Sequence, residues 1–445
     1  MSLSPESAAL VERARKGAVL SVAGRVTGVT GPVVRVKGVD VAVGQQVALW
    51  PQGGAEPIPA EVIGLDGGAA LLMSLGGLDG VGLDCEASAL GGNTLVPVGE
   101  ELLGRVIDGL GRPLDGMSLP PLPDRFPLRG APPKPLARAR IDRILPTGVR
   151  AIDAFLTVGM GQRLGIFAGA GVGKSTLLGM LARHGDFDAC VIALVGERGR
   201  EVREFIEDAS DAKNRARTCV VAVTGDAAPL LRVRGALLAT SIAEHLRARG
   251  RNVVLLLDSI TRYAMALREV GLASGELPAT KGYPPSVFAE LARLLERAGT
   301  DEAGSITGIY TVLVEGDEMT DPVADSTRAL LDGHVVLGRG IANRGVFPAV
   351  DVLDSKSRLM AQIASKEQIA TARRAIAILA NYRQAEDLIR IGAYQPGSDP
   401  EIDVARKFVP EFEKLVAQEP HAACTYDDAV RALKRLVDQF GGKAR

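Results

Sequence analysis

The run Phe167-Ala168-Gly169-Ala170-Gly171-Val172-Gly173-Lys174-Ser175-Thr176 constrains the fold more than any other feature, because such a glycine-rich turn works between a strand and a helix. Residues 162–167 read as a short apolar strand entering the turn, and residues 177–182 continue as a helix whose N-terminus faces it. Glycines at 169, 171 and 173 leave room for backbone N–H groups to curl round a phosphate. Lys174 offers a point charge and Ser175 a hydroxyl for Mg²⁺. The first position is Ala168, not glycine. The expected ligands of a nucleoside triphosphate are therefore Gly169, Ala170, Gly171, Val172, Gly173, Lys174, Ser175 and Thr176.

Three regions flank or contain this loop, after a first segment of 1–20 that reads as a weakly amphipathic assembly or membrane-surface helix, or as disordered chain. Residues 21–95 are short Val-rich pieces cut by glycine, which read as the five or six strands of a small closed β-barrel. Residues 96–365 form the expected nucleotide-binding domain. It begins with a Pro-rich, Arg-rich stretch at 120–150 that reads as an extended connection. Beyond it, continuously apolar strands such as 189–195 and 252–258 alternate with helical patterns, as in a mainly parallel sheet covered on both faces. Residues 366–445 are rich in alanine, leucine and charged residues and read as a helical domain.

The 445 residues carry a formal net charge of -1 with 24% charged residues, which gives no bulk electrostatic case for nucleic acid or an anionic membrane. The barrel region holds Trp50 as its only aromatic and Arg25, Arg35 and Lys37 as its only basic residues, so it lacks the stacking platforms and basic groove of an RNA binder. Four scattered cysteines, four isolated histidines and no spanning apolar run point to a reducing cytoplasm without zinc.

Two carboxylates fit phosphate chemistry. Asp258 ends an apolar strand, where a carboxylate can hold the water shell of Mg²⁺ beside Ser175. Glu197 is the first carboxylate off the strand after the loop helix, at the sheet edge where ligands of open α/β sheets bind, and is the candidate to polarise an attacking water.

The loop, Gly196-Glu197-Arg198, Leu256-Leu257-Asp258-Ser259, Gly282-Tyr283-Pro284-Pro285-Ser286 and Asp354-Ser355-Lys356-Ser357-Arg358 occur in this order. The set resembles the catalytic subunits of rotary ATPases, and most closely the ATPases of bacterial type III protein export, flagellar and injectisome. The stretches 103–115 and 196–205 resemble the export branch. The resemblance implies a RecA-like core, Mg²⁺-dependent ATP hydrolysis and a homohexameric ring. It makes Lys174 and Ser175 phosphate and Mg²⁺ ligands, Asp258 the outer-shell carboxylate and Glu197 the base. Arg198 and Arg262 become site-lining arginines, and Arg358 a finger inserted into the neighbouring subunit's site. Phe347 corresponds to an aromatic that stacks on adenine, with Phe408 as a candidate for the other face. Implied partners are a stator-like regulator, a central stalk, and chaperone-bound export substrates, at the inner-membrane export apparatus. A rotary ion-translocating ATPase and, less well matched, a ring-shaped RNA translocase remain the alternatives.

Overall fold

A computed structural model describes residues 23–54, 56–90, 95–208, 212–314 and 321–440. The expectation for residues 1–20 lies outside them. Two compact units divide the chain: one holds the barrel with Ala228–Leu230 and Glu269–Leu277, the other holds the remainder.

The barrel closes in the order β1-β2-β5-β4-β3-β6 from Ala23–Thr30 (β1), Val33–Lys37 (β2), Gln46–Trp50 (β3), Ile58–Asp66 (β4), Ala69–Ser74 (β5) and Glu86–Ala89 (β6). Alternation along the strands drives closure. In β2, Val34 and Val36 point inward, and Arg35 and Lys37 outward. With Val26, Val47, Leu49, Val62 and Leu72 they fill the interior. The sixth strand escapes a sequence reading because its Glu-Ala-Ser-Ala text carries no β-branched residue.

The second unit is built on nine strands: Val106–Ile107 (β7), Arg163–Ala168 (β8), Ala189–Glu197 (β9), Thr218–Thr224 (β10), Asn252–Asp258 (β11), Gly299–Thr300 (β12), Ser305–Leu313 (β13), Gly333–Leu337 (β14) and Val350–Ser357 (β15). Their order is β15-β14-β8-β13-β11-β9-β10-β7, with β12 paired to β13. From β14 to β7 every pairing is parallel, and β15 is an antiparallel edge. All nine residues of β9 are buried, which is why the text is apolar without alternation. Parallel pairing puts the loops after β8, β9 and β11 at one edge of the sheet.

The connection at 120–150 is extended, as its prolines require, but it is fastened along its length. Ser241 Oγ donates to the carbonyls of Pro127 and Leu128, buried Arg297 donates to Leu128, and Arg138 donates to the carbonyls of Glu296 and Ala298.

The helices used below are Lys174–His184 (α1), Gly199–Asp208 (α2), Ile260–Ala273 (α3), Lys366–Arg390 (α4), Pro400–Val416 (α5) and Tyr426–Phe440 (α6). Ser365 caps α4 by accepting from the Gln368 N–H, and Asp399 caps α5 just before Pro400. Phe408, Phe412 and Phe440 pack inside α4–α6, with ring centroids 5.6 to 6.2 Å apart. Among the described residues no helix is long and apolar enough to cross a membrane.

Candidate active site

β8 ends at Ala168, and the chain turns through the loop into α1. Gly171 and Gly173 have φ of +77° and +89°, a region in which a side chain is strained, so the turn needs glycine at both positions. Buried Val172 anchors the turn, while Ala170, Gly171, Ser175 and Thr176 are exposed. No side chain caps α1, whose N-cap is Gly173. Its first N–H groups are thus free for an anion, on the positive end of the helix dipole.

The structure gathers three charged groups beside this helix start. Lys174 Nζ donates to Glu197 Oε1 at 3.4 Å and, at very short range, to Asp258 Oδ1. The three side chains are 12%, 10% and 4% exposed. One ammonium thus lies between two carboxylates in a mostly buried setting, and the Arg262 guanidinium is a second positive charge acting on Glu197. Burial pushes the Glu197 carboxyl above its ordinary range; Lys174 opposes this and the nearby Asp258 charge adds to it. Ser175, Glu197, Asp258, Glu201, Val202 and Phe205 line one narrow cleft, so α2 contributes two apolar side chains and a third carboxylate that sequence reasoning missed.

Arg262, in the first turn of α3, lies against Gly196, where a β-carbon would come within 2.9 Å of the arginine side chain, so the close approach needs glycine. Its Nε is buried without a hydrogen-bond partner. A buried donor left open beside Glu197 fits an anionic ligand. The uncapped helix, Lys174, Arg262 and the Ser175–Asp258 pair together suit a magnesium nucleoside triphosphate.

The other expected residues fall differently. Phe347 is 42% exposed and lies beside the loop, its ring 3.3 Å from where a β-carbon on Gly173 would sit. Phe408 does not join it. It is 0% exposed, stacked on Phe412 inside the helical domain, and has no face left for a base; its expected role is withdrawn. The segment that does reach Phe347 is the one after α5, where the Gln418 N–H donates to the Phe347 carbonyl at 2.8 Å. Arg198 points into solvent, 84% exposed and paired with Glu201 at 3.5 Å, so it does not line the cleft in this chain.

Arg358 is the most distant. It follows Ser357, which pairs with Gly333, and Gly333 pairs with Leu164. The phosphate loop starts four residues further along β8, about 13 Å at strand rise. The guanidinium is exposed and makes no hydrogen bond or ion pair among the described residues, while its N–H donates to Asp332 O.

Comparison with known proteins matches this anatomy. The ATP synthase alpha/beta family, nucleotide-binding domain, covers residues 148–357, and the T3SS EscN ATPase C-terminal domain covers residues 364–435. The flagellum-specific ATP synthase of Treponema pallidum is 46% identical over 95% of each chain, and the type 3 secretion system ATPase of Xanthomonas euvesicatoria is 45% identical over 93% of this chain and 94% of its own. The assembled ATPase EscN of the enteropathogenic E. coli type III secretion system superposes with a TM-score of 0.88 at 41% identity, over 93% of this chain and 100% of that one. EscN has also been solved in complex with its central stalk EscO, and that chain superposes with a TM-score of 0.85. A phosphate loop, two carboxylates on its lysine and an export-type C-terminal domain thus occur in one chain with relatives matched over more than nine-tenths of its length, and the protein belongs to the type III secretion and flagellar export ATPase family, as an enzyme that hydrolyses ATP with Mg²⁺.

Proposed function

We propose that this ATPase acts as a homohexameric ring with active sites shared between neighbouring subunits, and that hydrolysis releases or unfolds chaperone-bound export substrates. In this reading residues 169–176 cradle the phosphates, and Ser175 and Asp258 hold the Mg²⁺ shell. When bound, Mg²⁺ neutralises charge on the β- and γ-phosphates. Lys174, here held by Glu197 and Asp258, is drawn to the phosphates by their greater charge, which frees Glu197 to orient water and accept its proton. The water oxygen bonds to the γ-phosphorus as the bridge to the β-phosphate breaks. Arg262, with its open Nε, faces the same charge. Phe347 stacks on the base, and Arg198 reaches the site only after a rearrangement of the α2 start.

The observation that carries the shared site is Arg358: it sits at the far end of the sheet from its own loop, exposed and without an ion pair among the described residues. A cation so placed serves a second copy of the chain, where it neutralises the charge of the transition state. A neighbouring ring subunit supplies that copy. A central stalk is supported by the EscN–EscO complex of a 41%-identical relative. A stator-like regulator, export chaperones and a peripheral position at the inner-membrane export apparatus complete the proposal.

Specific activity against protein concentration tests it, with mass followed by light scattering. Activity per subunit is expected to rise as oligomers form. A monomer with full, concentration-independent activity overturns the shared site.

A further inference from the structure

Thr311 lies in β13 between Tyr310 and Val312, and all three are wholly buried. A hydroxyl in such a place has to be bonded, because an unpaired one costs its full desolvation. Thr311 Oγ1 is 2.6 Å from Asp258 Oδ1 and 3.3 Å from the Leu257 carbonyl. The shorter contact, to an ionised acceptor, is the stronger, so the proton is donated to Asp258. Lys174 donates to the same Oδ1, and among the described residues both side-chain hydrogen bonds of Asp258 use that oxygen.

The position of β13 gives this contact its meaning. The strand lies between β8, which leads into the phosphate loop, and β11, which ends at Asp258. Just past Thr311 it is tied to both sides: the Leu313 N–H donates to Thr261 Oγ1 at 2.8 Å, and the Val314 N–H donates to the Ala168 carbonyl at 3.0 Å.

We infer that Thr311 is a positioning residue for Asp258: its hydroxyl fixes Oδ1 so that Oδ2 stays directed to the Mg²⁺ shell. The inference rests on the reading of Asp258 as the metal-shell carboxylate. Thr311 is needed most when nucleotide is bound. A phosphate that draws Lys174 away removes one of the two donors on Oδ1, and the Thr311 hydroxyl is the one that remains.

The test uses the full chain and measures binding, not turnover. Affinity for a fluorescent ADP analogue is titrated in excess Mg²⁺ and in EDTA for wild type, Thr311→Val, Thr311→Ser and Asp258→Asn, with thermal melts to confirm folding. The ratio of the two affinities reports how far Mg²⁺ tightens binding. Thr311→Val is expected to lose about tenfold of that ratio, the order set by one hydrogen bond to a charged group, with its EDTA affinity unchanged. Thr311→Ser, which keeps the hydroxyl, is expected to hold the wild-type ratio. A wild-type ratio in Thr311→Val with a collapsed ratio in Asp258→Asn overturns the role of Thr311 and leaves Asp258 in place. An unchanged ratio in both overturns the reading of Asp258 and this inference with it. Equal loss in Mg²⁺ and EDTA marks Thr311 as structural only and also overturns it. If Thr311→Val does not fold, Thr311→Cys, similar in size and a weak donor, is expected to lose part of the ratio; a wild-type ratio there overturns the inference.

Discussion

At the C-terminal ends of the parallel strands, Lys174, Glu197 and Asp258 are at most 12% exposed and bonded to one another, whereas at the opposite end Lys356 and Arg358 stand exposed on the edge strand and just beyond it. The first group is assembled by a single chain, from β9, β11 and the start of α1. The second is displayed. Buried charges survive only when paired, so the first group had to be solved within the fold; exposed arginines carry no such demand and are free to serve a partner. In the proposed ring, one chain builds the pocket for the substrate and presents Arg358 to the pocket of its neighbour.

Arg358→Ala is expected to have the largest effect, a loss of about 10³-fold in kcat, the lower range for an arginine finger. Nucleotide affinity and thermal stability are expected to stay near wild type, because the exposed side chain has no hydrogen-bond or ion-pair partner among the described residues. A large fall in the melting midpoint would place Arg358 in the fold instead.

Glu197→Gln tests the other end. Removal of the base is expected to cost about 10²-fold or more in single-turnover rate while ATP still binds, since shape and hydrogen bonding persist. The wild-type rate carries a related signature. Glu197 accepts a proton only when ionised, and burial raises its pKa in the free enzyme, so kcat/KM is expected to fall on acidification through a limb above the ordinary glutamate range. An acid limb at or below that range would contradict the buried site.

The smallest effect in turnover separates the two phenylalanines. Phe347→Ala is expected to weaken nucleotide binding by a few-fold, the order of one aromatic stacking contact, with little change in stability. Phe408→Ala is expected to do the reverse: to lower stability by about 3 kcal/mol through a cavity in the helical core, and to leave nucleotide affinity unchanged. Equal effects of both on affinity would restore Phe408 to the base.

These contrasts also mark what the sequence could and could not reveal. The loop, β8 and α1 are legible because glycine spacing and apolar runs encode local backbone requirements. Glu197 and Asp258 are legible as strand-end carboxylates, since parallel pairing brings strand ends to one edge. Phe408 misleads because an aromatic in an amphipathic helix reads alike whether it faces a ligand or its neighbours; only the packing with Phe412 and Phe440 decides. Thr311 and Glu201 are missed because their contacts cross between elements. A threonine inside an apolar strand was the available signal. Gln418 is silent for the same reason, its role being a backbone N–H on Phe347.

The shared site is tested most directly by mixing two inactive proteins. Lys174→Ala spoils the pocket and Arg358→Ala spoils the donated charge, so each is expected to be nearly inactive alone. Mixed rings contain interfaces where an intact Lys174 pocket meets an intact Arg358. When subunits are allowed to exchange, ATPase activity is expected to return and to peak near equal proportions. If subunit exchange is verified and activity stays at the level of the separate mutants at every ratio, Lys174 and Arg358 do not serve one site from two chains.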